Sequence, residues 1–166
     1  MSMLSIRNAT ERDREAIRRV EEHAFGQPAE AGLVDALVKD GDVVLELVAQ
    51  EDGAIVGHVL FSRLTVQGDG VPFPAVALAP LAVEPSFHGT GIGGALVREA
   101  HLRLKDRGER LSVVLGDPAY YGRFGYQRSA AQSFESAYQG DALQALVWGE
   151  APATGRLVYA PAFTRL

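Results

Sequence analysis

Cysteine is absent from this chain of 166 residues. That removes disulfides, thiolate metal sites and a cysteine nucleophile, so covalent transfer through an enzyme thiol is excluded. Long apolar runs are missing too. None approaches the ~20 residues of a membrane span, and no basic segment followed by an apolar one opens the chain as a secretory signal would. A cytoplasmic protein is the expectation. An excess of positive charge is also lacking: the net charge is -5, which argues against nucleic acid as a partner and is compatible with cationic amines as substrates. No His, Asp or Glu set has metal-ligand spacing, so no metal is expected. No G-x-S-x-G elbow announces a serine triad. What remains is ordinary globular material, 47% hydrophobic and 22% charged, expected to form one domain over residues 1–166.

The apolar pattern orders the elements. Leu4 to Arg7 reads as a short strand, and Thr10 as an N-cap with Asp13 completing an imperfect capping box. Ala16, Ile17, Val20 and Ala24 share one face of the helix that follows, which Gln27-Pro28 should break. Glu30 to Lys39 reads as a second helix, stopped at Gly41. Val43 to Gln50 and Ala54 to Val66 form a hairpin about Glu51-Asp52-Gly53. Ala75 to Val83 is apolar on both faces, as a central strand covered by helices should be. A helix from Ile92 to Arg107 leads to a strand at Leu111 to Leu115, a βαβ crossover that implies parallel pairing. Leu143 to Trp148 and Arg156 to Tyr159 read as late strands, while Ala130 to Gly140 has no readable pattern. The fold class is therefore mixed α/β: a central, mostly antiparallel sheet with one parallel pair and flanking helices.

Between the apolar strand and the long helix lies Pro85-Ser86-Phe87-His88-Gly89-Thr90-Gly91-Ile92-Gly93-Gly94. The first N–H groups of a helix lack intrahelical partners and carry partial positive charge, and glycines let an anion approach them closely. The turn is thus a candidate diphosphate cradle. Gly89-x-Gly91-x-x-Gly94 also matches a dinucleotide fingerprint, but five residues, Glu84 to His88, separate the strand end from Gly89, which disfavours a nicotinamide-dependent oxidoreductase. A tight turn without a ligand is the plainer alternative. Pro80, inside the apolar strand, has no N–H to give a ladder, which suggests a bulge or a parting of neighbouring strands.

Leu78-Ala79-Pro80-Leu81-Ala82-Val83-Glu84-Pro85 and His88-Gly89-Thr90-Gly91-Ile92-Gly93-Gly94-Ala95-Leu96-Val97 together resemble the acetyl-CoA motif of the GNAT superfamily of N-acetyltransferases. The family's signature places Gln or Arg where this chain has His88, and its glycines at Gly91 and Gly93. Downstream, Gly116-Asp117-Pro118-Ala119-Tyr120-Tyr121-Gly122-Arg123-Phe124-Gly125-Tyr126 is similar to the family's Tyr-x-x-x-Gly-Phe segment, with Tyr126 for Phe, and looks most like the YhbS-like branch. Ile6-Arg7-Asn8-Ala9-Thr10 matches the usual opening. The resemblance extends to about Tyr126.

It implies a GNAT-like fold whose bulged strand splays from its parallel neighbour, with acetyl-CoA as co-substrate. Leu81, Ala82 and Val83 would line the pantetheine arm, with an N–H near Leu81 polarising the thioester carbonyl. His88, Gly89, Thr90, Gly91, Ile92, Gly93 and Gly94 would hold the diphosphate. Tyr121, or its neighbour Tyr120, would protonate the departing thiolate, since a phenol stays protonated at neutral pH. Glu22, His58, Glu84 and Asp117 are the candidate general bases. His58 is more readily a satisfied structural histidine, and His23 and His101 read as helix-surface residues. The resemblance implies transfer to a primary amine by direct attack, the acceptor being a small molecule or a peptide, in a possible homodimer. A non-catalytic acyl-CoA sensor on the same fold is the alternative.

Overall fold

Glycine and proline set most element boundaries in the computed structural model, which describes residues 3–165. Met1, Ser2 and Leu166, included in the single-domain expectation, lie outside the described residues. Strand β1 (Leu4–Asn8) leads to Thr10, whose capping box with Asp13 closes a 3-10 turn before helix α1 (Arg14–Phe25). That helix stops at Gly26, one residue before the expected break, because Gly26 takes the left-handed C-cap geometry. Helix α2 (Ala29–Asp40) follows, then strands β2 (Val43–Glu51), β3 (Ala54–Gln67) and β4 (Phe73–Val83). Helix α3 (Ile92–Asp106), strand β5 (Leu111–Leu115) and the short helix α4 (Pro118–Tyr121) come next. Strands β6 (Phe134–Glu135), β7 (Leu143–Val147) and β8 (Gly155–Val158) complete the set.

The strands form one mixed sheet in the order β1-β2-β3-β4-β5-β7. All neighbours on this path are antiparallel except β4 and β5, the parallel pair expected from the crossover. Strand β3 runs past the end of β2, and its last residues, Thr65 to Gln67, pair with β8 instead. The stretch without a readable pattern contains β6, a two-residue parallel partner of β8. Its order comes from a side chain: Gln139 Nε2 donates to the carbonyls of Ala131 (3.0 Å) and Phe134 (2.7 Å).

Alternation along β2 and β3 divides the core between two layers. Leu47, Val59 and Phe61 face α3, packing on Ile92, Leu96, Val97, Ala100 and Leu104. Val48 and Leu60 face α1 and α2, meeting Ile17, Leu33, Val34 and Leu37. His101 is not a surface residue, contrary to the sequence reading. It follows Val97 by four residues, so it turns inward, is 8% exposed, and bonds the Tyr126 hydroxyl at 3.0 Å. Burial lowers its pKa to about 4, leaving it neutral. The same hydroxyl is 2.7 Å from Ser112 Oγ, so the polar atom that Tyr126 adds to an apolar position is satisfied twice.

Candidate active site

Pro80 marks the place where the sheet opens. Across β3 and β4 the register steps from Val59↔Leu81 to Phe61↔Leu78, which leaves an extra residue in β4 at Ala79-Pro80. Pairing with β5 covers only Val76 to Leu78, so β4 continues from the bulge to Val83 with no strand on that side. The Glu84 N–H donates to the Val56 carbonyl at 2.8 Å. Antiparallel alternation then turns Ala82 toward His58 on β3, and the main-chain groups of Leu81 and Val83 toward the open side. Ala82 thus contributes wall, not hydrogen bonds.

At the end of this edge stands the glycine turn. Gly89 and Gly91 take φ of 80° and 88°, a region that other residues adopt only with strain, and Gly91 is the N-cap of α3. The first helical bond is from the Ala95 N–H to the Gly91 carbonyl (3.0 Å). The N–H groups of Gly89, Gly91, Ile92, Gly93 and Gly94 have no partner among the described residues. Two expected donors are otherwise engaged. The His88 N–H reaches the Pro85 carbonyl (3.2 Å), and both the N–H and hydroxyl of Thr90 bond the Phe87 carbonyl. The His88 ring donates from Nε2 to the Val83 carbonyl at 2.8 Å, so this side chain braces the turn against the strand end. His88 and Thr90 set the shape of the cradle; the glycines and Ile92 present its donors.

Two clefts meet here. The narrower, about 500 Å³, is bounded by Leu81, Ala82, Val83, the glycine turn, Tyr120 and Arg123. The larger, about 650 Å³, runs along the far side of the bulge past Pro80, Gly116 and Tyr121. Phe25 and Leu81 line both, which makes the parted strand edge their junction. The adjacent tyrosines diverge, with rings nearly perpendicular (84°) and centroids 5.0 Å apart. Tyr120 belongs to the narrower cleft, where a Cβ added at Gly93 would come within 2.6 Å of its hydroxyl. Tyr121 belongs to the larger one, and burial raises its hydroxyl to about 12, so it keeps its proton at neutral pH.

None of the four candidate bases lines either cleft. Glu22 is paired with Arg18 on the helix surface, Glu84 with His23, and Asp117 caps α4 through the Ala119 N–H. His58 is fully buried, with Glu21 at 2.7 Å from Nδ1 and Glu46 at 2.7 Å from Nε2. It is a structural histidine, as its place in the second strand of the hairpin suggested. Two charged residues at the clefts escaped the sequence reading. Arg123, stacked over the Tyr120 ring at 4.8 Å, adds a cation to the narrower cleft and lies inside the very segment that drew attention to the tyrosines. Glu30 is the sole carboxylate among the described residues lining the larger cleft, and nothing local distinguishes it from other acids on helix surfaces. Among the described residues no group of His, Cys, Asp or Glu could hold a metal ion, and no helix is long and apolar enough to cross a membrane.

Open donors at a helix start, a strand edge freed by a bulge, and a second cleft across that edge would suit a phosphate-bearing, extended ligand beside a smaller one. Residues 5–129 match the family described as Acetyltransferase (GNAT) domain, and the chain belongs to that family. It is 41% identical over 120 residues to the N-acetyltransferase YjhQ of Escherichia coli K12, a match spanning 71% of this chain and 66% of that protein. The Escherichia coli protein YhbS, solved in complex with CoA, has the same fold with a TM-score of 0.90 and 33% identity, covering 99% of this chain and 94% of that one. A Brucella melitensis GNAT family acetyltransferase, solved with acetyl-CoA, follows at a TM-score of 0.83 and 34% identity, covering 97% and 98%.

Proposed function

We propose that this chain transfers an acetyl group from acetyl-CoA to a primary amine by direct attack within a ternary complex. The observation that carries the reading is the set of partnerless N–H groups of Gly89, Gly91, Ile92, Gly93 and Gly94, next to a strand edge with no neighbour among the described residues. Those amides and Arg123 fit the diphosphate, and the Leu81 and Val83 main chain fits the pantetheine amides as an added strand would. When bound there, acetyl-CoA supplies an activated carbonyl carbon and a thiolate leaving group. An N–H of the bulged edge aimed at the carbonyl oxygen stabilises its developing charge, an effect worth about 3 kcal/mol. Tyr121, which lines the larger cleft beside the bulge, holds a proton and delivers it to the departing sulfur.

Replacing Tyr121 by Phe removes that proton and leaves the cradle untouched. Turnover should fall roughly 100-fold or more, with CoA affinity by calorimetry unchanged. A variant that turns over as fast as the parent removes Tyr121 from the chemistry. Absence of heat with CoA in the parent protein refutes the whole reading. CoA binding without acetylation of any amine would favour the sensor alternative.

A further inference from the structure

The larger cleft is charged at one point and apolar nearly everywhere else. We infer that it selects a small primary amine with a single positive charge on an apolar, preferably aromatic, body, and that the Glu30 carboxylate anchors the ammonium group and accepts its proton. This rests on the acetyl-transfer reading above.

Among the described residues, Glu30 is the only charged side chain lining this cleft. Both of its oxygens lie 3.1 Å from Gln27 Nε2, a neutral donor, and no cation pairs with it among the described residues. The acids around it differ. Glu21, Glu46 and Glu84 all face a histidine, and Asp35 pairs with Arg18. A half-buried carboxylate oriented by an amide, with lone pairs left over, is a seat for an external cation.

The walls say what that cation rides on. Tyr138, Tyr159 and Phe163 form a continuous aromatic surface, with centroids 5.2 Å and 5.4 Å apart. Three of the chain's exposed large apolar side chains, Phe25, Leu115 and Tyr138, gather at this same cleft. Apolar surface left open to water around a single charge marks a binding site more than a solvated face. A volume of about 650 Å³ suits a small molecule. A polyamine or an aminoglycoside would have to bury further charges or hydroxyls against walls that offer few partners, a cost that excludes them.

The step balances simply. The ammonium group gives one proton to Glu30, and its freed lone pair forms the new bond to the acetyl carbon as the carbon–sulfur bond breaks. The nitrogen's second proton is lost as the amide forms and replaces the one that Tyr121 gives to sulfur. Glu30 returns its own to solvent, so one amide, one thiol and one proton result.

The test is a calorimetric titration of the whole protein, with and without CoA, using phenethylamine, 2-phenylethanol, spermidine and an aminoglycoside. Phenethylamine should bind at least about tenfold more tightly than each of the others, the worth of one charge-assisted hydrogen bond. In Glu30→Gln that preference over 2-phenylethanol should vanish and turnover should fall, with CoA affinity unchanged as proof of folding; Glu30→Asp should recover part of both. Tighter binding of spermidine or the aminoglycoside, or undiminished phenethylamine binding by Glu30→Gln, overturns the inference. Failure of CoA to bind instead refutes the acetyl-transfer reading, while the amine titration without CoA still reports on the cleft.

Discussion

Replacing His58 by Leu should be among the most damaging single substitutions in this protein, and the size of the loss follows from its surroundings. The imidazole is fully buried, and so is Glu21 on its Nδ1 side, while Glu46 on its Nε2 side is 8% exposed and pairs in turn with Arg14. Counting Glu21, His58, Glu46 and Arg14 as ionised, the cluster is neutral overall. Burial alone would lower His58, but the two carboxylates reverse that and hold its pKa above the ordinary value. Leucine leaves Glu21 buried with neither oxygen bonded, since its Oε1 has no partner even in the parent. Removing one member of a buried ion pair costs about 3–5 kcal/mol, a large share of the roughly 5–15 kcal/mol that holds a domain folded. The midpoint of thermal unfolding should drop by about 6–20 °C. Removing the stranded charge as well, in Glu21→Leu/His58→Leu, should recover at least half of that loss. The pH dependence has a definite sign. A histidine raised in the folded state stabilises fully below its unfolded pKa of about 6.5, and the contribution fades by up to ~1.4 kcal/mol per pH unit above that, until the folded pKa is passed. Urea unfolding at pH 6 measures the first effect, and NMR of the His58 ring measures the second. A loss below about 1 kcal/mol, or ring signals titrating at or under pH 6.5, would refute the argument.

Gly93→Ala tests the cradle. Its Cβ would meet the Tyr120 hydroxyl at 2.6 Å but the ring carbon behind it only at 3.9 Å, so CoA affinity should fall about tenfold or more and recover in part when Tyr120→Phe is added. Calorimetry on the three proteins decides, and equal affinity throughout would show that Tyr120 does not border the bound diphosphate. Asp13→Asn tests the entry to α1. Arg7 bonds both Asp13 oxygens (2.7 and 2.9 Å), which keeps the carboxyl well below the usual carboxylate range. That stability is present above the unfolded pKa near 4 and lost as pH falls through the folded value. The substitution should cost about 1–2 kcal/mol at pH 7, the exposed flank of Arg7 limiting it, and the difference from the parent should shrink toward pH 2; a constant difference would refute the assignment.

The two halves of the site were unequally legible, for one physical reason. The proposed donor half is made of main chain held in unusual conformations, and such conformations restrict residue type where they occur. Gly89 and Gly91 are needed because φ is positive, and Pro80 is tolerated because the strand there has lost its ladder. Each is a local mark, readable without knowing what packs nearby; together they point to the glycine turn as the candidate cradle and to the parting of β4 from β5. His88 and Thr90 are less legible. A one-dimensional motif cannot show that their N–H groups close the turn and do not face outward.

The proposed acceptor half is made of side chains converging from distant segments. Glu30 comes from α2, Phe25 from the end of α1, Tyr138 from the loop after β6, and Phe163 from the last turn. None carries a local mark: Glu30 sits on an amphipathic helix like any solvated acid, and the segment around Tyr138 is ordered by Gln139 reaching back to main-chain carbonyls. His101 differs: its spacing from Val97 already sets it beside the apolar arc of α3, and what the fold adds is the ring of Phe61, Tyr126 and Trp148 around it. Binding a donor shared by a whole family constrains the main chain, and so writes glycine and proline into the sequence. Choosing an acceptor constrains only which side chains meet, and that is decided by tertiary packing.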